Sequence, residues 1–289
     1  GNIIRYGLKS IKSVSNKSIE KLREFDPSQM NKLSMFECAK DSGINITILT
    51  NIIKAGCLSS FSDNRGKLFL EAKSWSLLTE SQRAKIFKHG KKYNYDLLNI
   101  LLDIKNGKML DGTKEIISTK QRKSKNGEMS SPWDTFYKKY LLAKEEYTKY
   151  SNNPDFYNYF YEVDILGFAY SMELKDVMKD LHPNAINLHE VEEASTNSYV
   201  ISCGIVQEVR LSKTKKGGTM LNIDVADEHG IFNLKAFNYE YFDQESRQRV
   251  IVNRVDDIKE ECGRYPEKKD IVVFRGQKKD RCVFVEKIK

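Results

Sequence analysis

The stretch Lys213 to Met220, KTKKGGTM, crowds three lysines and two glycines into its first six residues. Lys213, Lys215 and Lys216 would hold positive charge on a turn, with Arg210 close by on the preceding segment. Gly217 and Gly218 admit the positive φ of a tight primed turn. Cations gathered this way suit phosphate oxygens, and each phosphate neutralised would release counterions, so binding would weaken steeply with salt. A hairpin tip whose lysines only keep it soluble has the same composition. Phe232, Phe237 and Tyr239 follow within twenty-six residues of Lys213 and are candidates for stacking on bases, although at least one belongs in a core. No catalytic set accompanies them. Asp224 and Asp227 lie near a strand end without a third carboxylate in a related motif, and Asp256-Asp257 with Glu260-Glu261 reads as a solvated face. No phosphate-binding glycine loop, zinc-protease motif or Ser/His/Asp arrangement is present.

The elements that must carry these residues fall into two kinds. The chain has 289 residues, enough for two domains with real cores. Its net charge of +8 is compatible with a nucleic-acid partner without requiring one. Cys38, Cys57, Cys203, Cys262 and Cys282 are scattered with no C-x-x-C, which reads as reduced structural thiols of a cytoplasmic protein. The histidines have no ligand-like spacing, so no metal and no cofactor is expected in this chain. No apolar run is long enough to span a membrane, and no signal peptide precedes the first helix. The chain begins Gly1-Asn2, without methionine, so a fragment of a longer protein is expected, and a monomer.

The expected class is α+β: an all-helical N-terminal region followed by a small antiparallel β-barrel. Residues 1–104 read as short helices. Asn16 is expected to cap the first, Ser34 to open MFECAKD, and Ile46 to Lys54 to stop at Ala55-Gly56. Further helices are expected over Asp63–Ser74, Thr79–Phe87 and Asn94–Ile104. Residues 105–132 read as a flexible basic linker around KQRKSK, with a phosphate-contacting loop as the alternative. A helical connector spans 133–194, its aromatic spacing from Trp133 marking a packed face. From 195 to 289 the period is two. A long strand bent at Gly204 leads into the lysine hairpin, then TMLNIDVAD, an EHG turn and IFNLKAF; a short helix is expected in YEYFDQESRQR, and further strands in VIVNRVDDIKEECGRY, DIVVFRG and RCVFVEKIK. A barrel of the oligonucleotide-binding (OB) type fits, as do other small barrels.

The string GIVQEVRLSKTKKGGTMLNIDVADEHGIFNLKAFNYEYF resembles the OB domain of bacterial replicative DNA polymerase III alpha subunits. EVDILGFAYSMEL resembles that family's approach to the barrel, with Met172-Glu173 where the family has His-Pro. RYGLKSIKSVSNKSIEKL and INITILTNIIKAGCLSSFSDNRGKLF resemble its helix-hairpin-helix segment. The matches run in order and leave out roughly residues 76–160.

The resemblance implies the DNA-handling C-terminal part of such an enzyme, from a bacterium or a phage. The family's palm, with its magnesium-binding aspartates, lies upstream of these motifs and outside this chain. Implied partners are single-stranded template, primed duplex and a sliding clamp. At the first hairpin, Ser13 and Ser15 replace the two glycines of the family's G-h-G, whose bare amides approach a phosphate. Serine amides can still donate, with Lys12 and Lys17 adding charge, but the side chains crowd the approach. Asn64 and Arg65 match the family's NR and are expected to cap or pack. QRAKIF, Gln82 to Phe87, is a poor copy of a clamp-binding peptide inside an expected helix. The DNA-binding set is therefore Lys12, Ser13, Ser15, Lys17, Arg210, Lys213, Lys215, Lys216, Gly217 and Phe232. Two readings stand beside it: a free-standing single-strand or clamp-binding adaptor, and a protein-interaction module without DNA contact.

Overall fold

The structure, a computed structural model, describes residues 8–22, 28–108, 110–112, 114–123, 127–148, 153–167, 169–215, 217–245 and 247–289. The chain forms two compact units, Gly1–Phe168 and Ala169–Lys289.

The first unit is helical: α1 Asn16–Leu22, α2 Lys32–Asp41, α3 Ile46–Lys54, α4 Arg65–Leu77, α5 Glu80–His89, α6 Leu97–Lys105, α7 Pro132–Thr148 and α8 Pro154–Leu166. Short polar side chains start most of them. Asn31, Asn45, Asn64, Thr79 and Asp96 each accept from an amide of the first turn of α2 to α6, and Asn153 does so for α8, with Pro154 at its first position. Two expected caps move by a few residues. Ser15 takes the Ser18 amide at 3.3 Å, so Asn16 lies inside α1. Asn31 caps α2, and Ser34 answers as the reciprocal residue of a capping box.

The caps aim apolar faces at one core built from Leu33, Phe36, Ile52, Leu68, Ile86, Leu97 and Ile100, among others. Segment 105–132 differs from a plain linker. It holds the short strand pairs β1 Leu110–Asp111 with β2 Lys114–Glu115, and β3 Arg122–Lys123 with β4 Met129–Ser130. Ile116 and Ile117 between them are buried in the helical core.

The second unit opens with α9 Leu174–Met178 and α10 Leu188–Glu193, which pack on the barrel. Its strands are β5 Tyr199–Lys213, β6 Thr219–Ala226, β7 Ile231–Asp243, β8 Gln248–Asn253, β9 Ile271–Lys279 and β10 Cys282–Ile288, with α11 Arg254–Glu261 between β8 and β9. Strands β5, β6, β7, β10 and β9 close on themselves. Every pair is antiparallel except β7 with β10, which is parallel, so the barrel is mixed. A five-stranded barrel closed in this way, with a helix between its third and fourth strands, has an OB-like fold. The second half of β7 leaves the barrel and pairs only with β8, the two forming an arm.

Alternation sets the inside. Leu221, Ile223 and Val225 are buried along β6, while Met220, Asn222 and Asp224 are half-buried on the other parity. The bend expected at Gly204 is displaced: the register slips between Val206 and Glu208. A Cβ at Gly204 would lie 2.8 Å from that of Val225, so the glycine permits close strand approach. YEYFDQESRQR is not a helix. It supplies the end of β7, a turn and the start of β8, and the helix comes later, at 254–261, inside the run expected to be strand. Val255 and Ile258 of α11 are buried against the barrel.

The five cysteines are free. Burial, then the charges of Glu228 and Asp227, push the Cys203 thiol up to about 12. Cys203 should therefore resist alkylation at pH 8 in the native protein and react only with its unfolding, as peptide mapping after iodoacetamide would show. Labelling of Cys203 as fast as exposed Cys57 would contradict this burial.

Candidate nucleic-acid interface

Two surfaces carry the sequence-derived candidates, one in each unit. In the first, Ile11 and Val14 are buried and fix the hairpin, and Asn51 donates to the Lys12 carbonyl at 2.7 Å. Lys12, Ser13, Ser15 and Lys17 are all exposed. The Ser18 amide is taken by the Ser15 hydroxyl and the Ile19 amide by the Ser15 carbonyl. That leaves the Asn16 and Lys17 amides without an acceptor among the described residues, as the start of a helix dictates.

Ser13 sits at φ 68°, the left-handed conformation that glycine holds without cost. The missing glycine therefore shows as strain as well as crowding. Ser13→Gly is expected to stabilise the helical unit by about 1 kcal/mol, the left-handed penalty less the extra freedom glycine brings to the unfolded chain. Denaturant unfolding checks it, and an unchanged or lower midpoint would contradict it.

The second hairpin is committed to packing. Gly56 has φ 79°, and a Cβ there would lie 2.5 Å from the Arg65 guanidinium. Arg65 donates to the Lys54 carbonyl at 3.3 Å and pairs with buried Glu162 at 2.6 Å. Gln82 and Ile86 of QRAKIF are likewise occupied. Gln82 accepts from the Thr79 amide at 2.8 Å in a capping box, and Ile86 is fully buried in α5, so this segment is no extended clamp peptide.

In the second unit the lysine hairpin joins β5 to β6. Lys213 faces Thr219 in the ladder, the Thr214 amide donates to Gly218 at 2.8 Å, and the Gly217 amide donates to Thr214 at 2.9 Å. Of the two glycines only Gly217 uses a positive φ, 84°, so the two do not form the two-glycine primed turn expected. Gly218 serves closeness: a Cβ there would lie 2.4 Å from the Asn238 carbonyl oxygen of β7. Lys213 and Lys215 are exposed and have no carboxylate partner among the described residues. Lys216 lies outside the described residues.

Two members of the expected set are otherwise engaged. Arg210 is bound to Asp224 at 2.6 Å and to Glu208 at 3.4 Å, so its charge is already balanced. Phe232 is 8 % exposed and belongs to the barrel core, with no ring face for a base. Its strand parity matches Leu234 and Ala236, both buried.

The rings that face outward beside the hairpin include Phe237, Tyr239 and Phe284. Phe237 and Phe284 meet edge to face at 5.1 Å, brought together by the parallel pairing of β7 and β10. Tyr239 is 51 % exposed and Phe284 38 %. With the hairpin tip, Asn238 and Ile251 they line an open cleft of about 930 Å³. The Lys279 ammonium lies 5.6 Å from the Phe284 ring centre and 2.7 Å from Asn197. Phe284 was absent from the sequence-derived set. Its signal was parity: Val283 and Val285 point inward, which turns the aromatic between them outward. Cations on one wall of a cleft and rings on another can hold a phosphate backbone and stack its bases.

Compared with known proteins, residues 1–68 match the family described as the helix-hairpin-helix motif. A search of curated proteins finds no match. The matched motif contains both hairpins of the first unit and supports nucleic-acid binding in general.

Proposed function

We propose that this chain is a non-catalytic DNA-binding segment of a replicative polymerase of the DNA polymerase III alpha type, holding duplex and single-stranded template during synthesis. The observation that carries the reading is the ring-lined cleft beside the lysine hairpin on an OB-like barrel, since strands and loops in that position are where such barrels take oligonucleotides. Phosphates would meet Lys213 and Lys215, and bases would lie against Phe237, Phe284 and Tyr239. Phosphate contacts of this kind give affinity without sequence choice, as a template-holding surface requires. The helix-hairpin-helix motif would guide the duplex through its backbone amides and Lys12 and Lys17.

Ultraviolet crosslinking to a thymidine-rich single strand, followed by peptide mapping, tests the reading. Crosslinks are expected on peptides holding Phe237, Tyr239 or Phe284. No crosslink at low salt, or crosslinks confined to other surfaces, would sink it. That outcome would favour a protein-interaction module, the reading to which strained Ser13 and the balanced charge of Arg210 lend support.

A further inference from the structure

The β6–β7 turn, Asp227 to Gly230, lies outside the proposed DNA surfaces. Asp227 Oδ1 accepts from the amides of His229 at 2.8 Å and Gly230 at 3.2 Å, which fixes the turn. The turn also caps both helices that precede the barrel. Asp227 Oδ2 accepts from the Leu188 amide of α10 at 2.7 Å, and the Glu228 carboxylate accepts from the Leu174 amide of α9 at 3.2 and 3.3 Å. Glu173 is the residue before α9 and makes no capping bond with its side chain.

This frame brings three donors together. His229 Nε2 lies 3.6 Å from Glu173 Oε1 and 3.7 Å from Glu228 Oε1. Both separations are too long for a good hydrogen bond. They are close to the edge, about 3.4 Å, of a tetrahedron of N and O donors bound at roughly 2.1 Å to a zinc-sized ion. All three donor atoms lie within 4.8 Å of one another.

The surroundings favour a cation. The carboxylates of Glu173, Glu190, Asp227 and Glu228 gather here against the ammonium of Lys175, which lies 3.3 Å from Glu173 Oε2 and 3.1 Å from Glu190. Glu173 Oε2 is shielded from solvent with the Lys175 ammonium as its partner, although the side chain as a whole is 38 % exposed. His189 turns its Nε2 to Glu193 at 3.3 Å, although its ring lies 6.2 Å from that of His229. Asn187 Nδ2 stands 3.4 Å from His229 Nε2, a long contact that a metal bond would replace.

We propose that Glu173, Glu228 and His229 bind one divalent transition-metal ion, zinc or manganese, with a fourth position left to water. Such an ion would fasten the start of α9 to the β6–β7 turn. The site is independent of the DNA-binding reading.

The test is calorimetric titration of the chelator-treated chain with Mn²⁺ and, separately, Zn²⁺, with Mg²⁺ as a control. The manganese arm matters because thiolates prefer zinc, and the chain has five free cysteines. A single saturable Mn²⁺ site is expected. His229→Gln and Glu173→Gln should each weaken it by about tenfold or more, with the circular dichroism spectrum unchanged in chelator. If His229→Gln fails to fold, Glu173→Gln decides alone, because it removes no capping bond. Absence of saturable Mn²⁺ binding, or variants that bind as the wild type does, would overturn the proposal and leave the trio an ion-paired clasp.

Discussion

Changing Phe237 and Phe284 to alanine is expected to weaken single-strand binding by about 1–3 kcal/mol for each base that loses its stacking partner, roughly 5- to 150-fold in Kd per ring. The two rings touch at 5.1 Å, so their losses should not add: the double variant should fall short of the summed single effects. The barrel should survive the change at Phe284, since its neighbours Val283 and Val285 carry the core contacts of β10. Phe232→Leu supplies the contrast. It alters a buried ring, so it should lower the melting temperature with little effect on affinity at temperatures where the barrel is folded. Anisotropy with a labelled single strand reads both. Equal loss of affinity in Phe232→Leu and Phe284→Ala would mean that the outward rings have no special part.

Glu162→Ala should destabilise the helical unit by about 3–5 kcal/mol. The pair Arg65–Glu162 joins α4 to α8 at 2.6 Å, with side chains only 11 % and 1 % exposed. Removing the carboxylate takes from the buried guanidinium the oxygen it holds at 2.6 Å. Replacing both residues by apolar ones, Arg65→Met with Glu162→Leu, should recover part of the loss, because the guanidinium then leaves together with its carboxylate. Both tryptophans, Trp75 in α4 and Trp133 in α7, lie in this unit, so selectively excited tryptophan fluorescence follows its unfolding without a signal from the barrel. A Glu162→Ala midpoint within error of the wild type would show that the pair adds nothing.

The parts of the fold that were legible in the sequence are those decided locally. The helices expected over Asp63–Ser74, Thr79–Phe87 and Asn94–Ile104 are present as α4, α5 and α6, and the caps that start them, Asn64, Thr79 and Asp96, are bonds between residues three apart. The period of two along TMLNIDVAD announces a half-buried strand, and β6 bears it out. What failed was decided at a distance. Ser15 and Asn16 are both good caps, and the choice between them follows from burying Ile11 and Val14. The polar, aromatic run at 239–249 suits a helix by composition, but β8 pairs with it residue by residue from Asn238 to Asp243. Helix α11 has only Val255 and Ile258 to mark its buried face, too short a pattern to outweigh the β-branched residues before it. Ile116 and Ile117 are two apolar residues in a long polar segment, and their place in the core depends on helices far off in sequence.

The candidate site divides in the same way. The lysines of the hairpin were visible because charge on a turn needs no partner to be exposed. The fate of Arg210 was not, since Asp224 meets it from the next strand. Phe284 became part of the cleft only through the parallel pairing of β10 with β7, which links residues some fifty positions apart in sequence.

The most direct test of the central claim is the salt dependence of binding to a fluorescent single strand, for the wild type and for Lys213→Ala/Lys215→Ala/Lys216→Ala together. If the hairpin holds phosphates, the wild type binds at low salt, and the triple variant flattens the slope of log K against log salt by about two units. A triple variant with the wild-type slope, or a wild type that binds no single strand at low salt, would contradict the claim and leave KTKKGGTM a charged turn.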